Sequence, residues 1–69
     1  MSKFKFIQAG ELIELTELCN RACRGLDVDP DALIRFMLDA DDPDWQTLEV
    51  ARRIAERMHD GSIVWNPEP

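Results

Sequence analysis

Hydrophobic residues recur at helical spacing in three stretches of the chain, of which the first runs from about Gly10 to Arg24. Its apolar positions repeat every three or four residues: Leu12, Leu15, Cys19, Ala22 and Leu26. Glutamates fill the N-terminal half of this stretch and arginines the C-terminal half, as the helix macrodipole favours, and Gly25 can end the helix in the left-handed conformation. The pattern predicts a first helix over residues 10–24.

The second stretch, Ala32–Leu38, is apolar on almost every side. It is preceded by Asp29, a good N-cap, and by Pro30, which suits the first helical position because its missing N–H would be unpaired there anyway. Its polar positions form a single stripe at i, i+4 and i+8: Asp31, Arg35 and Asp39. A helix of this kind must be covered by neighbours on most sides. We therefore expect it to be the central element of the fold, with its acidic stripe facing water.

The third stretch starts with the same Asp-Pro-Asp triplet, which recurs at residues 42–44. It predicts a third helix from Pro43 to Asp60, capped by Asp42 and ended by Gly61. One face of this helix is predicted to be apolar: Trp45, Leu48, Ala51, Ile54, Ala55 and Met58. Trp45 is therefore expected in the core.

Short strand-like runs lie at both ends of the chain. Residues 3–7 alternate polar and apolar, and residues 62–65 read Ser-Ile-Val-Trp. If both runs are extended, pairing with each other would satisfy their backbone groups and tie the chain ends together. The predicted fold class is mainly α: a three-helix bundle, with the option of this two-stranded β ribbon. Residues 1–65 are predicted to form a single helical domain, and residues 66–69 a disordered tail.

The chain length of 69 residues leaves room for one small domain and no deep active-site cleft. The sequence contains no apolar run long enough to span a membrane and no signal-peptide pattern, so we expect a cytoplasmic protein. Cys19 and Cys23, four residues apart on a predicted helix, suit a disulfide poorly and are predicted to be reduced core thiols. With His59 they would still lack a fourth zinc ligand.

The acidic residues concentrate in the middle of the chain. Residues 27–44, here named the acidic segment, contain seven aspartates and one arginine, which equals the net charge of −6 of the whole chain. Four of the aspartates have an expected structural role as helix caps or first-turn residues: Asp29, Asp31, Asp42 and Asp44. Asp27, Asp39 and Asp41 have none. Two interpretations of these three stay open, a solvated loop and a functional acidic surface.

The spacing of the aspartates makes the functional interpretation concrete. If the second helix and its flanks form one extended row, the carboxylates cover roughly 25 Å, or one charge per about 3–4 Å. That is close to the phosphate spacing of one nucleic acid strand, about 3.4 Å. Arg35 would hold Asp31 and Asp39 in place. Trp65 would be either a lid on the bundle or an anchor for a partner. The candidate partner-binding residues are Asp27, Asp29, Asp31, Asp39, Asp41, Asp42, Asp44 and Trp65.

Catalytic and metal-binding patterns are missing from the sequence. The run Asp27–Asp31 resembles the start of a calcium loop, but the loop would need glycine where Ala32 stands and glutamate where Leu38 stands. No nucleophile or acid–base pair offers a reaction centre. The chain is therefore predicted to be no enzyme and to use no cofactor and no metal.

Residues 6–16, Phe-Ile-Gln-Ala-Gly-Glu-Leu-Ile-Glu-Leu-Thr, resemble the opening of excisionase and MerR-type DNA-binding domains, a short strand followed by a helix with a Gly-Glu-Leu start. This resemblance implies a DNA-binding domain. Those families continue with a basic recognition helix. Here the corresponding helix begins with Asp29–Asp31 and carries Arg35 alone.

In general character, the chain is similar to phage-borne anti-CRISPR and anti-restriction inhibitors, which are tiny, acidic single domains without enzymatic motifs. That resemblance implies a stoichiometric inhibitor that binds a nucleic-acid-handling complex, such as a CRISPR effector, and covers the lysines and arginines that normally meet phosphate. The leading prediction is therefore a non-enzymatic inhibitor that presents an acidic surface to a basic partner by nucleic acid mimicry. An acidic surface is repelled by phosphates, so we expect no direct binding to nucleic acid or membranes.

Two alternatives stay open. One is a small regulatory interaction module, such as an antitoxin or dimerisation domain, that binds through apolar contacts of Phe4, Phe6 and Trp65. A salt series on a partner complex would separate it from the acidic surface, because only charge-driven binding weakens steeply with salt. The other is a divergent excisionase or MerR-like DNA-binding domain.

Overall fold

The computed structural model describes residues 5–65, which form three α-helices and a three-stranded antiparallel sheet. In chain order the elements are β1 Lys5–Gln8, β2 Glu11–Glu14, α1 Leu15–Cys23, α2 Pro30–Met37, α3 Trp45–His59 and β3 Ile63–Trp65. The strand order in the sheet is β2-β1-β3. This is a small α/β fold, and the predicted mainly α three-helix bundle is wrong. The predicted disordered tail, residues 66–69, lies outside the described residues.

A β-hairpin replaces the first third of the predicted first helix. Ala9 and Gly10 both have positive φ, 55° and 80°, as in the two-residue turns that join antiparallel strands. The turn places Phe6 of β1 opposite Ile13 of β2. The helix therefore begins at Leu15 and not at Gly10.

Alternation along β2 explains why the helical pattern was misleading. Ile13 is 5% exposed and packs in the core, whereas Leu12 is 51% exposed on the outer face of the sheet. Successive side chains of a strand point to opposite faces, so only one of two adjacent apolar residues can be buried. The predicted helix used Leu12 as a core position and left Ile13 out.

The two chain ends pair, as the sequence allowed. β1 runs antiparallel to β3, with Phe6 opposite Trp65 and Ile7 opposite Val64. The Phe6 and Trp65 ring centroids are 5.0 Å apart in an edge-to-face arrangement, which is a favourable geometry for aromatic pairs. β1 is therefore the central strand of a sheet, and the predicted two-stranded ribbon is one of the two strand pairings in that sheet.

The central element of the fold is α1 and not α2. α1 buries four residues, and it contacts β1, β2 and both other helices. These four residues are Leu15, Leu18, Cys19 and Cys23. α2 contacts only α1 and α3, and Leu33 is its one buried residue. The prediction that the middle helix is the central element is wrong, because α1 and not α2 contacts the sheet. α2 is nevertheless covered on most sides, as predicted: its exposed residues are Asp31 and Arg35, and its other residues are buried or half-buried.

Both cysteines are free and buried, which confirms the prediction of core thiols. Burial, with a smaller effect of the neighbouring Cys23, raises the pKa of Cys19 to about 12. Burial also raises the pKa of Cys23, and the nearby Asp29 adds to this shift. Thiols held in the neutral form are poor nucleophiles, so neither cysteine is suited to chemistry.

Helix caps fall partly where the sequence predicted them. The Asp29 side chain accepts a hydrogen bond from the Asp31 N–H at 3.1 Å, so its role as the cap of α2 is confirmed. In the second triplet the cap is Asp44, which accepts from the Thr47 N–H at 2.8 Å. The predicted cap Asp42 is wrong, and α3 begins two residues later than predicted, at Trp45.

The two aspartates of that triplet offer a matched test. The Thr47 hydrogen bonds hold the pKa of Asp44 below its ordinary value of 3.8. A carboxyl whose pKa is lower in the folded state stabilises the protein fully above its unfolded pKa, and this stabilisation is lost as the pH falls through the folded pKa. We therefore expect Asp44→Ala to lower the Tm by a few degrees at neutral pH, with a difference that shrinks below pH 3.8, and Asp42→Ala to leave the Tm unchanged.

Thermal unfolding of the wild type and both variants, followed by circular dichroism at several pH values, would check this expectation. An equal loss of Tm in the two variants would contradict the assignment of the cap to Asp44.

Candidate partner-binding surface

All seven aspartates of the acidic segment are exposed in the structure. Asp29 and Asp44 each use one carboxylate oxygen to cap a helix. Arg35 lies 3.3 Å from Asp41, measured from Nε to Oδ2, and does not hold Asp31 and Asp39 as predicted. Both partners of this ion pair are more than half exposed, so the pair contributes little to stability and neutralises only one carboxylate.

Four aspartate carboxylates make no hydrogen bond or ion pair within the part of the chain that the structure describes: Asp27, Asp31, Asp39 and Asp42. One of them nevertheless has a backbone role that the sequence analysis missed. Asp39 has a φ of 61° and donates its N–H to the Phe36 carbonyl at 2.9 Å, which ends α2. Aspartate is one of the few residues that tolerate this left-handed conformation.

The acidic segment folds back on itself. Asp27 and the connection around it line a groove of about 180 Å³ together with Trp45, which directly follows the last aspartate of the segment. We name it the second groove; its lining residues are Leu26, Asp27, Val28, Trp45, Gln46, Glu49, Val50 and Arg53. Since the two ends of the segment meet in one groove, the predicted straight row of carboxylates over 25 Å is wrong.

Trp45 is the most exposed large hydrophobic residue among residues 5–65, with 74% of its surface accessible. Its predicted place in the core is wrong. Trp45 and the buried Ile54 are nine residues apart, about 2.5 turns, so they lie on opposite sides of α3. The buried face of α3 is formed by Thr47, Val50 and Ile54. The spacing of these three residues at i, i+3 and i+7 is the signal that could have located the core face.

A larger apolar groove lies between α2 and α3. It has a volume of about 540 Å³, and its lining residues are Phe36, Trp45, Leu48, Glu49, Ala51, Arg52 and Ala55. We name it the first groove. Leu48 is 50% exposed here, and the small side chains of Ala51 and Ala55 leave the groove open. Trp45 lines both grooves and so stands where they meet.

The basic side chains beside the grooves are engaged by glutamates. Arg52 donates one hydrogen bond to Glu56 at 2.6 Å and another to Glu49. The Arg53 Nε lies 3.8 Å from a Glu49 carboxylate oxygen. The lining of the first groove is therefore apolar or charge-balanced, whereas Asp27 brings an unbalanced negative charge into the second groove.

The apolar contacts that the sequence analysis proposed for an interaction module are placed differently in the structure. Phe6 is buried and packs against Trp65, so it offers no surface to a partner. Trp65 remains partly exposed at the edge of the sheet, and Phe4 lies outside the described residues. The exposed large apolar residues in or beside the acidic segment are instead Leu26, Leu38, Trp45 and Leu48.

The structure also bears on metal binding, on membrane spanning and on the resemblance to DNA-binding domains. Within residues 5–65, no group of three or more His, Cys, Asp or Glu side chains is arranged to hold a metal ion, and no helix is long and apolar enough to cross a membrane. The Gly-Glu-Leu start that resembled DNA-binding domains is not a helix start, because Gly10 lies in the hairpin turn and the next two residues belong to β2. Comparison with known proteins finds no matching family model and no significant match among curated sequences or solved structures.

Proposed function

We propose that this chain is a non-enzymatic binding protein that presents its acidic segment to a basic, nucleic-acid-handling protein and thereby inhibits it. One observation carries the proposal: all seven aspartates of residues 27–44 are exposed, and within residues 5–65 the single arginine among them forms an ion pair with Asp41 alone. A surface with a large excess of one charge attracts partners of the opposite charge and steers their association.

Nucleic-acid-handling proteins are the partner class with the matching surface. Lysine and arginine contacts to phosphate supply most of their non-specific affinity, so these proteins carry exposed basic grooves. Asp27, Asp31, Asp39 and Asp42 could meet such cations without losing a hydrogen bond or ion pair of their carboxylates among residues 5–65. Because the segment folds back, the proposal rests on the density of negative charge and not on a phosphate-like row.

A charge-neutralising variant tests the proposal with little effect on folding. Asp27→Asn/Asp39→Asn/Asp42→Asn removes three charges and no cap or ion pair, and asparagine also tolerates the positive φ at position 39. A matched control, Glu11→Gln/Glu14→Gln/Glu17→Gln, removes three charges on β2 and α1, outside the acidic segment and both grooves. Glutamine at positions 11 and 17 keeps a side-chain oxygen that can accept the hydrogen bonds of Arg21.

The measurement is quantitative capture from a nuclease-treated lysate of the source cell, followed by mass spectrometry. We expect the wild type and the control to retain a dominant basic, nucleic-acid-handling protein that added duplex DNA or raised salt releases. The asparagine variant is expected to bind it roughly tenfold more weakly, which corresponds to about 1.4 kcal/mol. Equal capture by all three proteins, without displacement by DNA, would contradict the proposal.

A further inference from the structure

The exposed indole of Trp45 has no role in the core and needs another explanation. It stands where the two grooves meet and directly follows Asp44, the cap of α3. Leu48, one helical turn further on, is half exposed in the same groove. Contiguous exposed apolar surface next to polar residues marks interaction sites, and tryptophan is among the residues that dominate binding energy at such sites.

The shape of the first groove suits a helix. Its lining along α3 extends from Trp45 to Ala55, ten residues or about 15 Å, which matches about three turns of a second helix. Phe36 of α2 forms the opposite wall, and Ala51 and Ala55 leave room for side chains that enter from outside. Grooves between helices commonly receive the apolar face of an amphipathic helix, through residues spaced at i, i+3 or i+4, and i+7.

The charges around the first groove favour basic residues on the polar face of such a helix. Arg52 is already bound by two glutamates, and Arg53 lies near one of them. Asp27 lines the second groove, which shares Trp45 and Glu49 with the first groove. A ligand whose polar face carries lysine or arginine would meet the Asp27 carboxylate where the two grooves join, whereas an acidic ligand would be repelled.

We propose that the first groove binds an amphipathic α-helix of a partner protein, with apolar residues seated on Trp45, Leu48 and Phe36 and basic residues directed to the acidic segment. This inference rests on the proposed function and extends it. The acidic segment supplies long-range attraction, and the groove supplies a fixed binding position.

A displayed library of helix-patterned peptides, with apolar and charged positions randomised independently, is the probe. Selection on the protein is expected to enrich peptides with apolar residues at i, i+3 or i+4, and i+7 and with net positive charge. Binding of the synthesised peptides is measured by the fluorescence of Trp45 in a Trp65→Phe background, where burial of the indole shifts the emission to shorter wavelength. Titration calorimetry measures affinities of variants that lack Trp45.

Two leucines of nearly equal exposure provide matched variants. Leu48→Ala alters the groove, whereas Leu12→Ala alters the outer face of the sheet. We expect Trp45→Ala to weaken peptide binding by about 30-fold or more, as at other hot spots, and Leu48→Ala to weaken it by a smaller factor. Leu12→Ala is expected to bind like the wild type.

The remaining outcomes separate this inference from the proposed function. Loss of peptide or partner binding in the triple asparagine variant, with unchanged binding in Trp45→Ala and Leu48→Ala, overturns the groove and leaves the acidic surface standing. If the selection enriches uncharged peptides whose binding depends on Trp45 but not on salt concentration, the ligand is not basic and that part of the inference is overturned. Failure to enrich any peptide overturns the inference. Self-association of the wild-type protein that is lost in Trp45→Ala also overturns it.

Discussion

Ile13→Asp is expected to unfold this protein, whereas Leu12→Asp is expected to leave it folded. Ile13 belongs to the core and lies opposite Phe6 in the sheet, so an aspartate there would place a carboxylate among apolar side chains with no partner. Burying an unpaired polar or charged group costs several kcal/mol or more. A domain of this size has a total stability of only about 3 to 10 kcal/mol.

Leu12 is the matched control because it is the adjacent residue on the opposite face of β2. Aspartate there meets solvent, and its poorer strand propensity costs about 1 kcal/mol or less. Urea unfolding followed by circular dichroism distinguishes the two variants. The predicted helix over residues 10–24 requires the opposite order, with Leu12 the sensitive position, so that order would contradict the hairpin.

Leu33→Ala is expected to lower the free energy of unfolding by about 2–5 kcal/mol, while Leu38→Ala changes it by less than about 0.5 kcal/mol. Leu33 is fully buried in the core cluster, so its truncation leaves a cavity as well as losing buried apolar surface. Leu38 is the C-cap of α2 and is exposed. Both leucines belong to the apolar run Ala32–Leu38, which the sequence predicted to be buried on most sides.

The urea midpoint of each variant measures this difference. The m-value is the slope of the unfolding free energy against urea concentration. An m-value equal to that of the wild type would show that the variants unfold from the same native state to the same unfolded state. Losses of similar size in the two variants would contradict the structure, because they would mean that α2 is covered on both of these sides.

The candidate site combines two features that folding alone does not require. Trp45 exposes an indole that could have been a smaller polar residue, and the Asp27 and Asp42 carboxylates have neither a partner within residues 5–65 nor a role at a helix end. Departures from the rules that favour stability are expected at functional sites. Asp27 and Trp45 line the same groove, which is the reason for treating the grooves and the acidic segment as one binding region.

Part of the site could be predicted from the sequence, because it depends on charge and composition. The excess of aspartates over residues 27–44 and the isolation of Arg35 are visible in the chain itself. The orientation of Trp45 is not visible in the chain. It depends on which face of α3 packs against α1 and β3. The apolar residues of α3 are compatible with two buried faces, one that includes Val50 and one that includes Leu48.

Local signals in the sequence determined the helix stops at Gly25 and Gly61, both with positive φ, and the cap at Asp29. Each depends on a residue and its near neighbours. Helical spacing also indicated the buried thiols, whereas the pairing of β1 with β3 was only an option in the sequence. Tertiary structure alone decided that residues 11–14 form a strand, that α1 occupies the centre, and that Trp45 faces outward. These features depend on hydrogen bonds and contacts between segments distant in the chain, and hydrophobic spacing within one segment does not contain that information.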